Sequence, residues 1–238
     1  MSIDRDWIPD AEGGSLYLRP FIIATEPFLG VRPAAEYLFL TIASPVGSYF
    51  KSGASAVTIW VSRHHSRAAP GGTGAAKCGG NYAASLTAQA EAYRHGCDQV
   101  VFLDAAEFRW VEELGGMNIF FVFDDGSLMT PPLDGTILPG ITRDSIIRLA
   151  RDAGLVVREE RYALETWEAD VQSGRLREAF ACGTAAVITP IAAVRDGDGG
   201  FAIGDGSAGP ITERLRNDLV AIQRGQAPDP YGWVSRLF

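Results

Sequence analysis

Lysine is almost missing from this chain: Lys51 and Lys77 stand against nineteen arginines. Each of the two therefore needs a reason. Histidine is as scarce, with three in the chain, and the adjacent pair His64–His65 reads as loop with no further ligands at metal spacing, so no metal site is expected. Three widely spaced cysteines, Cys78, Cys97 and Cys182, make an odd set that suits a reducing compartment better than a disulfide framework, so a cytoplasmic location is expected. No apolar run approaches the roughly 20 residues that span a bilayer; "AVTIWV" and "NIFFVF" are typical of the longest. The first ten residues, MSIDRDWIPD, offer neither a basic start nor an apolar stretch, so no secretory signal is expected. A basic stripe is lacking too: with a net charge of −8, nucleic acid is not the expected partner.

What is present is a globular composition, 47% hydrophobic and 21% charged over 238 residues, enough for one large domain or two modest ones. Strands are expected over 15–24, 36–44, 56–62, 99–104, 108–114 and 118–123, with a turn at "DDGS". "EAFACGTAAVITPIAAV" reads as a strand that breaks at Gly183 and resumes. Helices are expected over 82–96, over 142–154 with Thr142 or Asp144 as cap, over 163–174 with Thr166 as cap, and over 211–225. Strands and helices mix without strict alternation, which makes the class α+β.

Lys77 lies between glycine clusters in "PGGTGAAKCGGNYAAS" (70–85). A surface lysine in a loop is the plain reading. A phosphate loop needs glycine before the lysine and Ser or Thr after it; here the neighbours are Ala76 and Cys78, and the helix is expected several residues later, so a nucleoside-triphosphate site is rejected. Amine chemistry fits better, because arginine stays protonated and cannot form an imine. A pyridoxal phosphate site needs the lysine, an acid for the ring nitrogen, a donor for the ring oxygen and an anion cradle. "ELGGMN" offers the acid, Tyr82 follows the lysine by five residues, and "GITRDS" runs a glycine turn into a helix start, where free N–H groups meet the positive end of the dipole. "CGTAA" is a second turn able to present N–H groups. Spacing alone does not join these parts.

Taken together, they resemble the class IV pyridoxal phosphate aminotransferases. Glu113–Leu–Gly–Gly–Met–Asn118, then "LMT" ending at Thr130, then "LPGITR" ending at Arg143, is similar to that family's long signature in order and spacing. "SLYLRPFIIATEPFLGV", "RAAPGGTGAAKCGGNYAAS" and "FACGTAAVITP" look most like the branched-chain amino-acid aminotransferases. The resemblance covers nearly the whole chain. It implies the two-domain class IV fold (the D-amino-acid aminotransferase type): 1–48 the remainder of a small domain, 49–57 a linker, 58–238 the large cofactor-binding domain. Lys77 would hold pyridoxal 5'-phosphate as a Schiff base and shuttle a proton. Glu113 would pair with the ring nitrogen and Tyr82 with the ring hydroxyl. Ile141, Thr142 and Thr184 would cradle the phosphate, and Arg67 would lie near. Thr184 and Ala185 would present N–H groups to the substrate carboxylate, while Tyr17, Arg19 and Tyr49 would line the substrate side. A homodimer acting on amino acids and 2-oxo acids, without nucleic acid or membrane, is implied.

Family members usually begin with a longer N-terminal region that carries a phosphate-gripping arginine and a Tyr-rich segment. This chain starts partway into the small domain, so that domain is expected to be incomplete. Loss of one charge-assisted phosphate contact costs about 1.5–3 kcal/mol. Three functions follow as expectations: transfer of the amino group of Leu, Ile or Val to 2-oxoglutarate; a D-amino-acid aminotransferase or aminodeoxychorismate lyase of the same family; or a truncated, non-catalytic chain.

Overall fold

The computed structural model describes residues 5–9, 14–47, 56–197 and 199–236. The chain divides into two compact units, Met1–Gly53 with Ser235–Phe238, and Ala54–Val234. In the first unit, β1 (Ser15–Ala24) and β2 (Tyr37–Val46) form a ten-residue antiparallel ribbon, with Tyr17 opposite Ser44 and Arg19 opposite Ile42.

The second unit is built on one mixed sheet. Its strands are β3 (Val57–Ser62), β4 (Gln99–Leu103), β5 (Val111–Leu114), β6 (Asn118–Phe123), β7 (Leu128–Thr130), β8 (Val157–Glu159), β9 (Leu176–Gly183), β10 (Val187–Asp196) and β11 (Gly199–Ala202). They lie in the order β5-β4-β3-β10-β9-β6-β7-β8, with β11 on β10. β5 is at one end of this path, yet only three residues separate it from β6, near the other end. The Leu114 N–H bonds the Met117 carbonyl, and the Val111 N–H bonds the Tyr162 carbonyl just beyond β8. The sheet therefore curls until its two ends meet, and the β5–β6 turn sits at the junction.

Alternation along the strands sorts the helices. Phe120 and Val122 of β6 pack with Phe180 and Cys182 of β9 beneath α2 (Ile141–Asp152) and α4 (Pro210–Gln223). Phe121, between them in sequence, faces the other way, edge-on to Tyr162 and to Trp167 of α3 (Leu164–Gln172). α1 (Gly79–Arg94) sets Ala88 and Ala92 on Trp60, Val100 and Phe102 of β3 and β4.

Three expectations are corrected. α1 begins at Gly79, two residues after Lys77 rather than several, so the late helix start no longer argues against a phosphate loop, and the mismatched Ala76 and Cys78 carry that rejection. α2 is capped by Gly140, not by Thr142 or Asp144, and Thr166 lies inside α3, whose cap is Ala163. In each case extended backbone alone marks the cap, with no side chain bonding back. His64 is exposed and His65 half-buried, after β3.

Candidate functional site

A cavity of about 250 Å³ opens in the large unit, lined by residues from the lysine loop, the β5–β6 turn, the start of α2 and the β9–β10 turn. Lys77, Glu113, Ile141, Thr142 and Thr184 all border it. Of the other sequence-derived candidates in this unit, Arg67, Tyr82 and Ala185 do not line it. Arg67 and Tyr82 instead contact residues that do.

The lysine loop is held from inside. Asn81, buried in the first turn of α1, donates to the carbonyls of Thr73 and Ala76 at 2.7 and 2.9 Å, while the Thr73 hydroxyl donates to its Oδ1 at 2.7 Å. Gly74 lies so close to the Thr136 backbone that any Cβ there would overlap it. This fixes the path into Lys77, whose Nζ donates to the Tyr82 hydroxyl at 3.0 Å.

Opposite lies Glu113, 3% exposed at the end of β5. Among the described residues, both of its partners engage Oε1: the Leu138 N–H at 2.9 Å and Arg67 Nη2 at 2.6 Å. Oε2 is left for another donor. Burial pushes the Glu113 carboxyl up to about 7, even with the buried Arg67 guanidinium and the Leu138 N–H opposing it. Arg67 also donates to the Gly74 carbonyl at 2.9 Å and the Thr136 carbonyl at 2.5 Å, tying the lysine loop to the acid.

The third wall is the start of α2. Its first backbone bond runs from the Asp144 N–H to the Gly140 carbonyl, and no side chain caps it. The N–H groups of Ile141, Thr142 and Arg143 thus have no intrahelical acceptor at the positive end of the dipole. A Cβ on Gly140 would strike Asn118 Oδ1, so glycine lets the helix start close against β6. Thr184 sits in the turn between Gly183 and Val187, which pair across the hairpin. Val187, β-branched, has φ +57°, a strained conformation of the kind that gathers at functional turns.

In the small unit, Arg19 Nη2 donates to the Tyr17 hydroxyl at 3.0 Å, with its guanidinium 5.0 Å from that ring's centre. Tyr49 lies outside the described residues. Sequence reasoning missed Thr73, Asn81, Asn118 and Thr136; Asn118, inside the signature quoted above, was the one with a signal. Among the described residues no His, Cys, Asp and Glu cluster is arranged to hold a metal, and no helix is long and apolar enough to cross a membrane.

Residues 5–194 match the family described as Amino-transferase class IV. The chain is 58% identical to a branched-chain-amino-acid aminotransferase of Mycobacterium tuberculosis (strain CDC 1551 / Oshkosh), over 100% of this chain and 66% of the relative, so it spans slightly less than two thirds of that protein. Among solved structures it resembles the Escherichia coli branched-chain amino acid aminotransferase, with a TM-score of 0.79 at 37% identity, covering 93% of this chain and 70% of the other. It also resembles the branched-chain aminotransferase of the thermophilic archaeon Thermoproteus uzoniensis, solved with norvaline, with a TM-score of 0.79 at 33% identity, covering 94% and 69%. With its signature residues gathered around one cavity and this family matched over most of its length, the chain belongs to the class IV aminotransferases.

Proposed function

We propose that this chain forms the cofactor-binding part, residues 58–238, and a portion of the small domain of a branched-chain amino-acid aminotransferase. In this reading it binds pyridoxal 5'-phosphate and moves the amino group of Leu, Ile or Val to 2-oxoglutarate. One observation carries the reading: an amine, a buried acid with one oxygen unengaged, and an uncapped helix start border the same cavity. These are the parts that pyridoxal phosphate requires, so the residues fit the group. When bound, the cofactor supplies a carbonyl for amine exchange and a ring that accepts electrons from the substrate Cα.

The protein's contribution follows from its own atoms. Lys77 would provide the amine that holds the cofactor and would move the proton at Cα. The Tyr82 hydroxyl, already bonded to Lys77, holds that amine in place. Glu113 Oε2 is available to hold a proton on the ring nitrogen, and Arg67 keeps the carboxylate in position. Ile141 and Thr142 offer N–H groups to the phosphate, joined by the Thr184 turn. The roles given above to Tyr17, Arg19, Tyr49 and Ala185 stay proposals from resemblance. A homodimer is supported by the exposed apolar side chains of β1 and β2, such as Ile22, Phe39 and Ile42, and a cytoplasmic setting by three free cysteines.

The test is the visible spectrum of the purified chain with added pyridoxal phosphate. A lysine-bound cofactor band that is absent in Lys77→Ala, and that converts on adding leucine, is expected. Conversion by D-alanine but not leucine would assign the chain to another activity of the family. A spectrum identical in parent and mutant would remove Lys77 from the chemistry.

A further inference from the structure

Two consecutive residues of β5, Glu112 and Glu113, are both buried, at 7% and 3% exposure. Neighbours on a strand point to opposite faces. Glu113 borders the cavity; Glu112 does not, and the reaction has no direct use for it. Around Glu112 the hydrogens can be counted. Thr136 Oγ1 lies 2.5 Å from Glu112 Oε1 and 3.0 Å from Asp134 Oδ1, and Asp134 Oδ2 accepts from Arg161 at 2.9 Å. A threonine hydroxyl has one hydrogen. Were both acids ionised, one of these two oxygen–oxygen contacts would have none between them. Glu112 Oε2 is also buried without a partner, which costs far more for a carboxylate than for the carbonyl of a neutral acid.

We propose that Glu112 keeps its proton in the folded chain and is a positioning residue for Glu113: it donates to Thr136, whose carbonyl seats Arg67 against the acid that faces the cavity. The count then closes, with Glu112 donating to Thr136 Oγ1 and Thr136 donating to the ionised Asp134. Charge closes as well. Arg67, buried with its Nε unpartnered, faces one carboxylate rather than two. The charged groups acting on Glu112 are Asp134, Asp104 and Arg67, and its strand neighbour Glu113 is coupled to it by like-charge repulsion. Burial raises its carboxyl, the two aspartates add to this, and Thr136 and Arg67 oppose it. Asp134 goes the other way: against the cost of burial, Arg161 and Thr136 hold it below the ordinary carboxylate range.

The positioning role rests on the proposed function, in which Glu113 faces the cofactor ring; the proton on Glu112 does not. Infrared spectra of the cofactor-free chain, taken well above the value of about 7 near which Glu113 titrates, test the proton. The carbonyl stretch of a protonated carboxylic acid should be present in wild type, lost in Glu112→Gln and retained in Glu113→Gln. Its absence from wild type, or its loss only in Glu113→Gln, overturns the assignment. The pH midpoint of the bound-cofactor absorbance tests the positioning. Glu112→Leu and Thr136→Val should move it by about one pH unit, while Glu112→Gln, neutral and able to donate to Thr136, should hold it at the wild-type value. An unmoved midpoint in the first two, or a Glu112→Gln shift as large as theirs, refutes the role. A wild type that takes up no cofactor removes the positioning role together with the reading beneath it, and the infrared band still decides the proton.

Discussion

α2 and α4 start alike and end in different employment. Each follows a glycine cap with extended backbone, Gly140 at φ −68°, ψ 134° and Gly209 at φ −78°, ψ 166°, and neither has a capping side chain of its own. Both bury Ile and Leu side chains in the same core against β6 and β9. What differs is the strand residue that meets each helix start. At α4, buried Glu178 of β9 accepts from the N–H groups of Ile211 and Thr212 at 3.2 and 2.8 Å and from the Thr212 hydroxyl at 2.6 Å. Its side chain fills the space that a Cβ on Gly209 would need. At α2 the corresponding neighbour is Asn118, a neutral amide that donates to the Leu138 carbonyl at 2.9 Å. One dipole is neutralised by the protein itself; the other is left for an anion from outside. In the proposed function, a helix start thus becomes a binding site through what the adjacent strand withholds.

The comparison can be broken from either side. The largest effect is expected at α4. Glu178→Ala strands two N–H groups and a hydroxyl in the interior and should cost about 4 kcal/mol of stability, measured by urea unfolding. Cofactor affinity of the folded fraction should not change, and a large loss of affinity would mean that the two helix starts are not independent. Glu113 comes next. Its folded value of about 7 lies above its ordinary 4.5, so the stability it contributes is full below 4.5 and is lost as pH rises through 7. That amounts to about 3 kcal/mol across the window. The cofactor-free chain should therefore weaken between these pH values relative to Glu113→Gln, and parallel pH–stability curves would contradict the burial argument. The smallest effect sharpens the contrast directly. Inorganic phosphate at about ten times its dissociation constant should stabilise the cofactor-free chain by about 1.4 kcal/mol. Asn118→Asp, which sets a carboxylate at α2 as Glu178 does at α4, should remove that gain. Equal protection of both proteins would place the phosphate elsewhere.

Much of this was readable from residue order. The strands of β1, β2, β6, β9 and β10 announce themselves through aromatic and aliphatic runs ended by Gly or Pro, and Lys77 stands out because arginine replaces lysine nearly everywhere else. Short β8 and β11 were not legible: three or four residues set no period, and each exists by pairing with a neighbour already in place. The α2 cap was misread because Thr142 and Asp144 are good capping types, while the real cap, Gly140, was selected by close packing against Asn118. Glu112 was passed over for a similar reason. Its neighbour in sequence has a place in the family signature, whereas its own role depends on Thr136 and Asp134, more than twenty residues away.

The most direct measurement uses the rarity of lysine itself. The chain should be incubated with pyridoxal phosphate, reduced with borohydride, digested, and its peptides weighed. The cofactor mass is expected on the peptide containing Lys77, with none on Lys51. Attachment to Lys51, equal attachment to both, or no attachment would contradict the assignment of this cavity as the cofactor site.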